Sequence, residues 1–126
     1  MSLSNIIKTL CKKIYDEMGG GYAEIIYHHC LEVELRQVGL KYDTKRVLPI
    51  MYCGYCVGDR EMDLMVWNDE ETLIIELKAI TKLNEAVVTQ INSYMKQSKC
   101  NKGLIVNFGP CEVQFMETFS ESTSDN

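Results

Sequence analysis

The segments Glu61–Trp67 and Thr72–Ile80 constrain this chain more than any other feature, because both read as strands that are largely apolar on both faces. The polar loop Asn68-Asp69-Glu70-Glu71 joins them, and closure by Trp67 and Thr72 makes an antiparallel hairpin. In that register Met62, Leu64 and Val66, with Leu73, Ile75 and Leu77, form one wholly apolar face. The other face carries Met65, Trp67 and Ile74 beside Asp63, Glu76 and Lys78. Such strands belong in the middle of a sheet covered by helices on both sides. Ionised groups there need partners or a metal, because an unpaired buried charge is costly or shifts its pKa instead.

The same register sets Asp63 opposite Glu76, with Cβ atoms roughly 4.5–5.5 Å apart, where like charges repel. A cation between them removes the conflict. Lys78 lies two residues beyond Glu76 on the same strand face. Two carboxylates and a lysine so placed match what a divalent-metal phosphodiester hydrolase needs. Taken alone, Glu76 and Lys78 fit a solvated salt bridge at a strand end equally well.

Around this hairpin the order of elements reads as two helices, three strands, a helix and two strands. Ile6, Ile7, Leu10, Cys11, Ile14 and Met18 recur at helical spacing, which predicts a helix over Ser4–Met18 with Ser4 as its cap. Gly19-Gly20-Gly21 ends it, and a second helix over Tyr22–Val38 closes at Gly39. Lys45–Tyr52 reads as a strand, placed at an edge by Pro49. Cys53-Gly54 turns into the strand that runs to Trp67, with a bulge expected at Gly58. A helix over Asn84–Gln97 buries Val87, Val88, Ile91 and Met95. Strands follow at Gly103–Phe108 and Val113–Met116. Residues 1–117 make a single domain, and 118–126 read as a polar, disordered tail.

At 126 residues, with 46% hydrophobic and 25% charged, the composition is that of one soluble globular domain. No apolar run approaches the length of a membrane span and no signal pattern opens the chain, so neither membrane nor secretion is indicated. Six cysteines in such a chain read as reduced thiols of an intracellular protein, cytoplasmic or nuclear, and a virus-encoded origin is compatible with this. Cys53-Gly54-Tyr55-Cys56 is half of a zinc pattern, but no second CxxC or spaced Cys-His pair completes it. The net charge of −5 is concentrated at the end of the chain, since residues 1–110 carry 14 acids against 13 bases. Strong nonspecific binding to DNA is therefore not expected.

A longer pattern adds to the hairpin. The chain reads Gly21-Tyr22-Ala23-Glu24-Ile25-Ile26-Tyr27, then Leu31 and Glu34-Leu35, then Asp63, Glu76-Leu77-Lys78, Gln90-Ile91-Asn92-Ser93-Tyr94 and Asn107-Phe108-Gly109. In this order and at these separations it resembles the GxxExxY protein family, a branch of the PD-(D/E)xK nuclease superfamily, from about Ile6 to Met116. The Gln90-x-x-x-Tyr94 step is also similar to that of RecB-type nucleases. Met62 stands where the superfamily motif has proline, a position that shapes backbone rather than chemistry.

The resemblance implies an α+β, restriction-endonuclease-like core: a mixed central sheet flanked by helices. It implies that Asp63 and Glu76 hold Mg²⁺ or Mn²⁺, that the Leu77 carbonyl completes the shell, and that Glu24 joins directly or through water. Lys78 is then the residue that orients the attacking water, with Gln90 and Tyr94 positioning the phosphate or Lys78. It implies nucleic acid, DNA foremost, as substrate, in repair, recombination or viral and mobile-element processing. So small a core offers little surface to grip a duplex, which leads to the expectation of a homodimer. Other readings stand beside these. Glu24 suits the helix dipole without any catalytic task, Tyr27 suits the core, and His28-His29 suit the surface. The competing function is a nucleic-acid-binding scaffold on a nuclease fold.

Overall fold

The computed structural model describes residues 1–98 and 100–119. Its elements are α1 (Leu3–Met18), α2 (Glu24–Val38), β1 (Lys41–Tyr52), β2 (Tyr55–Trp67), β3 (Thr72–Lys78), α3 (Glu85–Ser98), β4 (Lys102–Phe108) and β5 (Val113–Phe119). Among the described residues one five-stranded sheet holds the strands in chain order, so β1 and β5 are its edges. Only β3 and β4 run parallel, with α3 as the crossover between them. The mixed sheet with helices on both faces is the expected α+β architecture, and Pro49 does lie on an edge strand.

The two faces divide the core. Helices α1 and α2 cover Leu64, Val66, Leu73, Ile75, Leu77, Leu104 and Val106. Helix α3 covers Leu48, Met62, Met65, Ile74 and Ile105 through Val87, Ile91, Tyr94 and Met95. Each such side chain taken fully out of water contributes about 1.5–3 kcal/mol, so both layers hold the sheet. Within the central hairpin Trp67 pairs with Thr72 and Leu64 with Ile75, as expected. Asn68 closes its loop by accepting the amides of Glu70 and Glu71.

Several boundaries differ from those expected. Ser2, not Ser4, caps α1 by accepting from the Asn5 amide, while Ser4 is buried and donates to Glu117. A helix start can slide by a few residues when two serines compete, and the apolar stripe beginning at Leu3 decides here. Thr118 and Phe119 are the last residues of β5, not part of a tail: Lys102–Phe119 pairing extends the final strand, and Thr118 is buried against Met95. The rest of the expected tail, 120–126, lies outside the described residues. The bulge falls beside Gly58, where the register steps from Ile50–Gly58 to Met51–Cys56 and leaves Val57 extra. Cys53 (φ 50°) and Gly54 (φ 82°) both adopt left-handed backbone, the two-residue hairpin turn that matches strand twist. That turn accounts for the CxxC spacing, and all six cysteines are free.

Candidate active site

The regular alternation of β2 breaks at Asp63. Met62 packs under α3, yet Leu64, two residues on, packs under α1 and α2, so the expected shared face for Met62 and Leu64 is not formed. A pure strand puts residues two apart on one side. The break has a local cause: Lys45, opposite on β1, has φ 55°, and the register passes from Thr44–Leu64 to Arg46–Met62 without pairing Lys45 and Asp63. The β2–β3 ladder also stops at Leu64–Ile75. Instead of standing in line across from Glu76, the Asp63 carboxylate accepts the Leu77 amide at 2.9 Å. Asp63 thus sits in the cleft where β2 and β3 part.

Glu76 comes from the middle of β3 on the α3 side and is 2% exposed. Its Oε2 lies 3.4 Å from the Lys78 ammonium. Its Oε1 is buried and has no hydrogen-bond partner among the described residues. Burial, with the Asp63 charge adding to it, pushes the Glu76 pKa up to about 8 against the opposing pull of Lys78. Burial also raises Asp63, held back by the Leu77 amide, His28 and Lys78. Glu24, in the first turn of α2, is raised by burial and then by Asp63, with Lys78 opposing. The charges of three carboxylates and one lysine, from α2, β2 and β3, therefore act on one another, with one buried oxygen unspent.

The donor set fits a hard divalent ion. Carboxylate oxygen is its preferred ligand, and Mg²⁺ commonly keeps several waters and takes only one or two protein carboxylates. Among the described residues no three Asp, Glu, His or Cys side chains close on a single point to enclose an ion by themselves. An orphaned buried carboxylate oxygen beside a second carboxylate is what such an ion satisfies.

Gln90 and Tyr94 do reach this region, with different partners from those expected. The Tyr94 hydroxyl donates to the Glu61 carbonyl at 2.8 Å, and Gln90 donates to that hydroxyl at 3.1 Å. They tie α3 to the stretch of β2 that delivers Asp63. Tyr27 is buried in the core, its ring stacked on Phe108 at 4.2 Å, and its hydroxyl donates to the Gly19 carbonyl. It thereby holds the glycine loop from which Glu24 emerges. Asn107, fully buried, accepts the Ile80 amide and donates to the Ile80 carbonyl, anchoring the chain just after Lys78.

His28 corrects the surface reading: it is 3% exposed and is bonded to Thr44 Oγ1 at 2.7 Å, while Thr44 donates to the Asp63 carbonyl. Burial lowers its pKa, although Glu32 and Asp63 push the other way. The sign of this role was available in the sequence, since His28 is four residues from Glu24 and shares its helix face. His29 is exposed.

A family model for the PD-(D/E)XK nuclease superfamily matches residues 1–118. No match was found among curated proteins. Among solved structures, the crystal structure of the protein SSO0001 aligns with a TM-score of 0.64 at 20% identity, over 77% of this chain and 50% of that one. This chain thus spans about half the length of SSO0001. Hjc, a Holliday junction resolvase from Archaeoglobus fulgidus, aligns with a TM-score of 0.49 at 17% identity, over 74% of this chain and 70% of that one.

Proposed function

Because this chain belongs to the PD-(D/E)XK nuclease superfamily, we propose that it is a divalent-metal-dependent nuclease acting on DNA, centred on Asp63, Glu76 and Lys78. The observation that carries the reading is the buried, unpartnered Glu76 Oε1, on a carboxyl whose pKa is raised by burial and then by the charges of Asp63 and Glu24. Asp63 and Glu76 are the residues to hold Mg²⁺ or Mn²⁺, with Glu24 joining directly or through water and the Leu77 carbonyl completing the shell. Once bound, the ion supplies Lewis-acid polarisation of the phosphoryl group and a more acidic water.

The rest is the work of the chain itself. The Leu77 amide fixes the Asp63 carboxylate, and burial keeps water away from Glu76. Lys78 orients the attacking water and offsets the negative charge that builds on the phosphoryl oxygens. Gln90 and Tyr94 hold the Glu61–Asp63 stretch in place. Within the superfamily, Gly21 through Tyr27 support the GxxExxY branch, and the fitting processes are intracellular: repair, recombination, or viral and mobile-element DNA processing. A homodimer fits the small core, and the β5 edge, unpaired among the described residues, offers a contact surface with its exposed Met116 and Phe119.

Melting the protein with and without Mn²⁺, alongside cleavage assays on single- and double-stranded DNA, tests the centre. Stabilisation by Mn²⁺ and cleavage that Asp63→Asn abolishes are the expected outcomes. Neither effect in the wild type leaves a scaffold on a nuclease fold. Light scattering tests the dimer separately, and a 14.5 kDa particle across micromolar concentrations would remove it.

A further inference from the structure

The outer half of the β1–β2 hairpin takes no part in the centre described above. Every residue from Met51 to Glu61 is exposed. The register sets Leu48 opposite Arg60, Ile50 opposite Gly58, and Tyr52 opposite Tyr55. Paired residues point to one side of a sheet, and Leu48 packs under α3. Arg60, Ile50, Tyr52 and Tyr55 therefore share the α3 face, on which Glu76 and Lys78 also stand.

Arg60 lies over the Tyr94 ring, 5.6 Å from its centroid, and makes no ion pair among the described residues. Contact with an aromatic face holds the guanidinium in place without neutralising it. With Thr89, Gln90 and Ser93 of α3, Arg60 lines an open hollow of about 540 Å³. A free planar fork among hydroxyl and amide groups suits a phosphate. Further out the floor is Gly58, over which the space is open. At the tip Tyr52 and Tyr55 stand paired, 70% and 75% exposed, roughly 13 Å along the strands from Arg60. An apolar protein partner laid on this face would bury Arg60 without a counter-charge. A nucleic-acid strand meets both features, with phosphate for the cation and base faces for the rings.

We propose that this face is a subsite for the nucleic-acid strand leading out of the metal centre. Arg60, with Gln90, Thr89 and Ser93, grips a backbone phosphate, and Tyr52 and Tyr55 stack an unpaired base beyond it. The inference rests on the nuclease reading for the identity of its ligand and adds a preference for strands with unpaired bases.

The test is fluorescence anisotropy on the full chain in EDTA, where no cleavage occurs, with a labelled single strand, a blunt duplex and a duplex bearing a single-stranded overhang. The wild type should bind the overhang and the single strand more tightly than the blunt duplex. Arg60→Gln should weaken binding about tenfold and lower the slope of log affinity against log salt by about one, while Arg60→Lys keeps the slope. A purely packing role on Tyr94 would not move that slope. Replacing Tyr52 and Tyr55 by alanine should cost roughly five- to hundredfold on the single strand and overhang but little on the blunt duplex, and phenylalanine at both should preserve binding. Should Arg60→Gln melt early, Ser93→Asp puts a carboxylate in the hollow instead and should weaken binding.

An unchanged salt slope, equal losses on blunt and overhang substrates, or no metal-free binding by the wild type overturns the subsite. So does a wild-type dimer that the tyrosine variant dissolves, since a second copy would then occupy the face. Cleavage with Mn²⁺ that none of these changes affects sinks the subsite and leaves the nuclease standing. Binding as described without any cleavage does the reverse.

Discussion

Strand β2 crosses two environments, and the contrast between its halves organises the molecule. From Met62 to Val66 it is walled in by both helical layers, apart from the partly open Asp63. From Tyr55 to Glu61 every residue is exposed. The boundary between the two lies at Glu61, whose carbonyl is tied to Tyr94, and at Asp63, where the alternation slips. A ribbon of two strands has little stability of its own, so the outer half borrows order from the inner. Against the inner half, on β3, Glu76 Oε1 stays unpartnered because the surrounding packing fixes it.

Substitutions on the inner side should break function first and hardest. Glu76→Gln should lower Mn²⁺-dependent cleavage by on the order of a thousandfold or more while leaving the metal-free protein as stable or more stable, because it removes the cost of a buried carboxylate, to which Asp63 adds repulsion. Lys78→Ala should lose cleavage comparably but keep the Mn²⁺ shift in melting temperature. A structural salt bridge would give the opposite pattern, with modest destabilisation in every variant and no response to Mn²⁺.

Packing gives the next largest contrast. Ile75→Ala, at a fully buried position of β3, should cost about 2–5 kcal/mol in a denaturant titration. Val57→Ala, 62% exposed on the outer half, should stay within about 0.5 kcal/mol. Similar costs at the two sites would show that the arm is covered rather than free.

The pH dependence of the metal-free protein sharpens the same boundary. Glu76 has its pKa raised to about 8 in the folded state, so the native protein binds more protons than the unfolded chain from the ordinary carboxylate range up to that value. Stability should therefore fall as pH rises from about 4.5 to about 8, by on the order of a few kcal/mol. Melting temperatures at pH 5.5 and 8 check this, and Glu76→Gln should flatten the difference. A wild type equally stable at both would mean that Glu76 is relieved by another route.

The smallest effect belongs to the hairpin tip. Replacing Cys53 and Cys56 together by serine should leave melting nearly unchanged, since both thiols are exposed and the turn geometry rests on Cys53 and Gly54 backbone. The φ of 50° at residue 53 is no harder for serine than for cysteine. Loss of cooperative melting together with bound zinc would restore the zinc alternative.

The layers and the central hairpin, with its pairing from Trp67–Thr72 to Leu64–Ile75, were legible in the sequence, because apolar periodicity and a four-residue polar loop are local properties that few arrangements satisfy. The sequence also placed Glu76 and Lys78 on one face and Glu24 at the head of a helix, since spacing alone decides such things. The rest depends on contacts between distant segments. Asp63 turns to the Leu77 amide because Lys45 on another strand breaks the pairing. His28 is bonded to Thr44 of β1, and Phe119 continues a strand because β4 extends far enough to pair with it. Arg60 joins the α3 face through its partner Leu48 and the ring of Tyr94. Periodicity reports which side of its own element a residue takes, and it carries no information about which other element comes to meet it.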